Sequence, residues 1–182
     1  MKPMPPARIP AKLPLRFLGA ALLLCASLSC RAEGFHFEVD SPGFRITIPG
    51  IPQLKMSVHL KNASQPHLRY LGSAEPYTVA VITPAAAEGM TPLECAVAVA
   101  GTLAARSGTP PSSQVLKTRL DSNTFVAIYA KPLAPGVQLN AHILSAAGGR
   151  YCIEVHVTKI SIDEEDLASW FTEVEKASIE PK

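Results

Sequence analysis

Apolar and polar residues alternate one by one in two early segments of the chain, and this pattern constrains the fold more than any other feature. Three apolar residues alternate with polar ones in FRITI (44–48), and four do so in LKMSVHLK (54–61). A period of two residues is that of a β-strand with one buried face. Segments 67–72 and 77–83 also predict strands, and the second is apolar enough to predict a central position in a sheet.

The period changes at two places, which predicts two helices. The segment TPLECAVAVAGTLAAR (91–106) begins with Thr91, Pro92 and Glu94, a capping box with proline at the first helical position. The segment SIDEEDLASWFTEVEKAS (161–178) has a second capping box and one apolar stripe. Further strands are predicted at 114–120, 124–130, 137–145 and 151–158. The prediction is an α+β layered domain, a mostly antiparallel β-sheet with two packed helices.

The N-terminus has the layout of an export signal. Four basic residues and no acidic residue precede the short apolar run FLGAALLLCASLS (17–29). We predict a signal peptide over residues 1–32, a single domain over 33–182 and a periplasmic location. The alternative is a lipoprotein anchored at Cys30, although Ser27 stands where such a motif normally has a leucine-like residue. The run is too short for a membrane span of about 20 residues, so we predict none.

Charge and motifs exclude several classes of function. Residues 1–32 hold five of the 17 Lys and Arg and none of the 15 Asp and Glu, so residues 33–182 carry 12 basic and 15 acidic side chains, a net charge of −3. A chain without a basic patch is not expected to bind nucleic acid. The sequence has no Gly-rich phosphate loop, no Gly-x-Ser-x-Gly, no Cys-x-x-Cys and no His-Glu-x-x-His. We therefore predict no cofactor, no catalytic residues and no enzymatic activity.

Two cysteines, Cys95 and Cys152, lie outside the export signal. In an exported protein such a pair predicts a disulfide. The bond would stabilise the fold by about 4 kcal/mol in the chain-entropy model. The alternative is that Cys152 is a free nucleophile paired with His142 or His156, which requires a thiolate.

The hairpin formed by 137–145 and 151–158 holds the chemically richest residues. Apolar residues of the two strands share a face only if the connecting loop has an odd length, and the three residues AGG (147–149) meet that condition. This register places His142 opposite Glu154, with His156 diagonal to both. Two imidazoles and a carboxylate could bind zinc and leave a position for water. The alternative is an ordinary cross-strand pairing of His and Glu.

The order of elements carries a resemblance to a known family. The segment FRITIPG near the start and YCIEVHVTK followed by DEEDLASWF near the end resemble the PsbP-like superfamily, which includes the DcrB-like exported proteins. The resemblance implies an α/β/α-type layered sandwich and an accessory or binding role. It assigns no functional residue, because it is a pattern of elements rather than a motif.

Two classes of function follow from the sequence. The first is an exported, non-enzymatic protein-binding or accessory protein, for example an immunity or inhibitor protein against a toxin that acts on the cell envelope; the identity of its protein partner is not specified. The second is a protein that binds a metal or a small ligand, or a hydrolase, through the face of His142, Glu154 and His156.

Overall fold

The structure, a computed structural model, describes residues 34–59, 65–104, 115–146, 150–161 and 165–182. All of them belong to one compact unit, Ala32–Lys182, and the other unit of the chain, Met1–Arg31, lies outside them. The predicted signal peptide, the alternative lipid anchor at Cys30 and the predicted hairpin loop at 147–149 all concern residues outside the described ranges.

The described residues form ten strands and two helices. In chain order these are β1 (Phe35–Asp40), β2 (Gly43–Ile48), β3 (Ser57–Val58), β4 (Leu68–Ala74), β5 (Tyr77–Ile82), α1 (Pro92–Ala104), β6 (Val115–Leu120), β7 (Phe125–Pro132), β8 (Val137–Ser145), β9 (Ile153–Ser161), α2 (Glu165–Val174) and β10 (Ser178–Pro181). Within these ranges, the strands form a three-stranded sheet in the order β1-β2-β10 and a seven-stranded sheet in the order β3-β4-β5-β9-β8-β7-β6. Every pairing is antiparallel.

The predicted α+β class, with its α/β/α-type layered sandwich, is wrong. Strands account for 52% and helices for 15% of the structure, which is a β-rich fold with two antiparallel sheets. The error comes from two strands that the sequence pattern did not reveal, β1 and β10. Together with β2 they form a second sheet, so a β layer covers the large sheet where a helical layer was expected.

The main core lies between the two sheets and α2. The large sheet contributes the inward residues of its central strands, which are Val79, Val81, Leu139, Ala141, Ile143, Val155 and Val157. The small sheet contributes Phe35, Phe44, Ile46, Ile48 and Ile179. Trp170 of α2 is buried against them, and its ring stacks on Tyr77 with centroids 6.1 Å apart. The strand alternation read from the sequence thus decides which residues enter this core.

The predicted capping box at α1 and the predicted bounds of β8 are confirmed, whereas the predicted start of α2 and the predicted strand over 54–61 are wrong. At α1 the capping box is present: the Thr91 amide donates to Glu94 Oε2 (2.7 Å), and the Glu94 amide donates to Thr91 Oγ1 (3.2 Å). α2 begins at Glu165 rather than at Ser161, because β9 continues through Ser161. The predicted strand over 54–61 is reduced to β3 in the described residues. Leu54 is buried in the core before that strand begins.

We predict that Ile46→Ala lowers the free energy of unfolding by about 2–5 kcal/mol, because it removes a fully buried side chain from between the sheets. Ile160→Ala is the matched control. Ile160 lies on β9 but is 55% exposed, so its replacement should cost less than about 1 kcal/mol. Denaturant unfolding with the disulfide intact measures both values. Equal losses for the two variants would contradict this account of the core.

Candidate functional site

The second face of the seven-stranded sheet carries His142, Glu154 and His156, and the structure brings them together. The register differs by two residues from the predicted one: His142 lies opposite His156, and Glu154 lies opposite Leu144. The predicted register was wrong because residues 150–152 pair with another segment. The Ala86 amide donates to the Arg150 carbonyl, and the Cys152 amide donates to the Pro84 carbonyl. A shift of two residues keeps each side chain on its face, so the three residues still meet.

His142 is held by partners at both ring nitrogens. Its Nδ1 lies 2.8 Å from Glu154 Oε1, and both side chains are only 7% exposed. Since a carboxylate oxygen accepts, Nδ1 is the donor of this bond. The other nitrogen, Nε2, lies 3.2 Å from the hydroxyl of Tyr129. Burial, and then the charge of Glu154, raise the pKa of Tyr129, which keeps its hydroxyl protonated.

His156 stacks on His142. The two rings are nearly parallel, with an interplanar angle of 7° and centroids 4.3 Å apart. Nε2 of His156 lies 3.2 Å from Oδ1 of Asn140. Burial, and then the positive charge on His142, lower the pKa of His156 from 6.5 to about 3. His156 is therefore neutral at neutral pH.

The predicted disulfide between Cys95 and Cys152 is confirmed. The two Cα atoms are 5.5 Å apart, and both side chains are buried. The bond joins the first turn of α1 to the residue just before β9. Because Cys152 is oxidised, it has no thiolate to act as a nucleophile, and that alternative is wrong for this structure.

Helix α1 lies over one part of the polar face. A small second cluster holds it there, made of Ala96 and Val99 of the helix and Leu144 of β8, with Phe125 of β7 packed against it. The cluster and the disulfide lie on the same side of the sheet as His142. The cluster and the disulfide hold α1 at a distance from the sheet that leaves space between the helix and the strands.

That space is a cavity of about 540 Å³ between α1, the sheet and the segments 65–68 and 84–90. Its walls are largely apolar and include Leu68, Leu71, Ile82, Met90, Ala98 and Val99. His142, Glu154 and His156 also line it. Ala80 of β5 pairs with His156 and also lines the cavity, so the residue beside the histidine is small. The polar trio thus forms the floor of a largely apolar cavity, whose other polar lining residues are Gln65, His67 and Thr102.

A metal centre at the trio is disfavoured by its hydrogen bonds. In the part of the chain that the structure describes, no group of three or more His, Cys, Asp or Glu side chains is arranged to hold a metal ion. Both nitrogens of His142 already have protein partners, and its ring is parallel to that of His156, whereas the nitrogens of a metal site converge on one point. The zinc site therefore stays a prediction from the sequence.

Two members of the polar network were not singled out from the sequence, Tyr129 and Asn140. Asn140 could have been found from its spacing in the sequence. It precedes His142 by two residues on the same strand, so both side chains lie on the same face of the sheet. Tyr129 pairs with Asn140 across the sheet. Identifying Tyr129 requires the register between β7 and β8, which the sequence alone does not give.

We predict that the double substitution Cys95→Ala and Cys152→Ala lowers the free energy of unfolding by about 4 kcal/mol, because the bond closes a loop with a sequence separation of 57. Denaturant unfolding of the oxidised wild type and the variant measures the difference. A free energy within about 1 kcal/mol of wild type would contradict the role given to this bond.

We predict that His156 makes the fold less stable in acid. The unfolded imidazole binds a proton below about pH 6.5, whereas the folded one does so only below about pH 3, so the unfolded state binds more protons between these values. The contribution of His156 to stability should rise with pH across this window by an amount on the order of 5 kcal/mol.

The pH dependence is measured by denaturant unfolding at about pH 4 and about pH 7 for wild type and His156→Phe. The compared quantity is the difference between the two proteins, because this difference isolates the contribution of His156. The variant should show the weaker dependence. The control is His36→Gln, which changes a side chain that lies exposed on β1. Identical dependence in wild type and His156→Phe would contradict the prediction.

Comparisons with known proteins add no relationship to this picture. No protein-family model matches the chain, and no curated protein matches it either. The resemblance to the PsbP-like superfamily therefore stays a prediction, while the layered α/β/α sandwich that it implied is not the fold observed. The function has to be argued from the cavity itself.

Proposed function

We propose that this protein binds a small, largely apolar molecule in the cavity between α1 and the seven-stranded sheet, and that it does so without catalysis. The observation that carries the proposal is a largely apolar cavity whose floor holds a hydrogen-bonded polar network. Small-molecule sites in proteins commonly have this composition, with apolar walls and a few fixed polar groups.

The size of the cavity supports a drug-sized ligand. Its volume of about 540 Å³ falls inside the range of about 300–1,000 Å³ that is typical of ligand pockets. The wall residues from α1 are Ala98, Val99 and Thr102, so the helix itself would bury one side of the ligand. The helix is held by the disulfide and the small apolar cluster, which supports a largely preformed site.

The state of the polar residues favours binding over hydrolysis. A general base needs a free nitrogen that faces the substrate. In His142 one nitrogen is bonded to Glu154 and the other to Tyr129. The neutral His156 is a weak base because of its low pKa. The second class of function from the sequence is thus retained as small-ligand binding, and we do not propose a hydrolase.

Location and partner are part of the proposal. The disulfide supports action in an oxidising compartment such as the periplasm. None of the helices in the described ranges has the length and apolar character needed to span a membrane. A role as an accessory or immunity protein with a protein partner stays a prediction from the sequence, and it is compatible with a bound ligand.

We predict that the neutral fluorophore N-phenyl-1-naphthylamine binds to the purified protein and that Ala98→Phe weakens this binding at least about tenfold, because the new ring fills the cavity. Ala100→Phe is the matched control on the same helix. Both alanines are exposed, but Ala100 is not among the residues that line the cavity, so this variant should bind within about twofold of wild type.

Fluorescence titration measures the three affinities, and circular dichroism checks that both variants fold. An absence of binding to wild type would contradict the proposed function. Equal binding by the two phenylalanine variants would place the fluorophore elsewhere on the protein and would also contradict it.

A further inference from the structure

We infer that the ligand carries a neutral hydrogen-bond donor, a hydroxyl or N–H group on an apolar body, and that Nδ1 of His156 accepts the hydrogen bond. The inference rests on the proposed function, because it specifies which molecules the cavity prefers. The orientation of the Asn140 amide and the free nitrogen of the His156 imidazole support it.

The orientation of the Asn140 side chain is fixed by its neighbour. Nδ2 of Asn140 donates to the backbone carbonyl of Gln138 (3.0 Å), and a carbonyl oxygen accepts only. Nε2 of Gln138 donates in turn to Oδ1 of Asn140 (3.3 Å). The first contact fixes the amide nitrogen of Asn140 on the Gln138 carbonyl, and the second identifies Oδ1 as an acceptor, which also faces Nε2 of His156.

The orientation of Asn140 decides where His156 carries its hydrogen. Nε2 of His156 faces an oxygen that can only accept, so Nε2 must be the donor. A neutral imidazole has one N–H, and the low pKa keeps His156 neutral. Nδ1 is therefore left with a lone pair and no hydrogen.

Nδ1 of His156 is free to receive a ligand. It hydrogen-bonds to none of the residues that the structure describes. Among these residues, two polar side-chain atoms are both buried and without a partner, Arg119 Nε and Trp170 Nε1. Nδ1 of His156 also lacks a partner but is not among them, so it is accessible. Since His156 lines the cavity, its accessible nitrogen faces that space.

The floor of the cavity also disfavours ligands that have hydrogen-bond acceptors but no hydrogen-bond donor. A ketone, ester or carboxylate placed next to Nδ1 would set oxygen lone pairs against the lone pair of Nδ1, and this acceptor would stay unsatisfied. A carboxylate would in addition approach Glu154, which is buried on the same floor. A neutral donor satisfies Nδ1 and brings no charge, so the floor selects it.

The test is a competition in which three ten-carbon molecules displace N-phenyl-1-naphthylamine from wild type. We expect 1-decanol, which can donate, to bind about tenfold more tightly than 2-decanone, which cannot. Decanoate should bind less tightly than 1-decanol as well. Binding of 2-decanone or decanoate that equals or exceeds that of 1-decanol would overturn the inference.

Two substitutions test whether His156 causes the preference for 1-decanol over 2-decanone. His156→Phe removes the acceptor, and Asn140→Leu frees the imidazole to carry its hydrogen on either nitrogen. In both variants the affinity ratio of 1-decanol to 2-decanone should fall at least about fivefold. Thr158→Val is the control: Thr158 pairs with Asn140 across the sheet but does not line the cavity, so the ratio should stay at the wild-type value. A ratio unchanged in both variants would overturn the inference.

The two proposals fail in distinguishable ways. If wild type does not bind the fluorophore, the proposed function fails. If it binds the fluorophore but shows no preference for the alcohol, the cavity still binds ligands and only the inference about the donor fails. If a substitution prevents folding, the comparison of the three molecules on wild type still decides the inference.

Discussion

Strands β8 and β9 each present two faces to two different environments, and the rest of the structure depends on this alternation. Along β8, Leu139, Ala141 and Ile143 are buried in the core between the sheets. The intervening Asn140 and His142 belong to the polar network on the other side. Because the side-chain period of a strand is two, a shift of one residue would exchange the two sets. A shift of that kind would bury the network in the core, which its polarity forbids.

The polar network is stable under α1 because its buried groups are paired. The hydrogen bond between His142 and Glu154 compensates part of the cost of burying a carboxylate. His156 can stack on His142 because it is neutral, and two imidazolium rings at a distance of 4.3 Å would repel each other. The disulfide then holds the start of α1 near the end of this network. These contacts leave Nδ1 of His156 able to accept a hydrogen bond from a ligand.

The sequence predicted the features that depend on local pattern. Two cysteines in a chain with an export-like N-terminus were enough to predict the disulfide, and strand parity was enough to put His142 on one face with Glu154 and His156. The register failed because residues 150–152 pair with residues 84–86, which are far away in sequence. The fold class failed because β10 follows α2 directly, in a segment whose residues also suit the end of a helix. The cavity depends on the distance of α1 from the sheet, and no local pattern encodes that distance.

The central claim is that His156 offers an unprotonated Nδ1 to a ligand in the cavity. Long-range ¹H–¹⁵N NMR of the histidine side chains at neutral pH, recorded before and after addition of 1-decanol, tests this most directly. The account predicts that His156 is the neutral tautomer with hydrogen on Nε2 and that the Nδ1 resonance shifts when the alcohol binds. An imidazolium at His156, hydrogen on Nδ1, or an Nδ1 resonance that does not respond to the alcohol would contradict it.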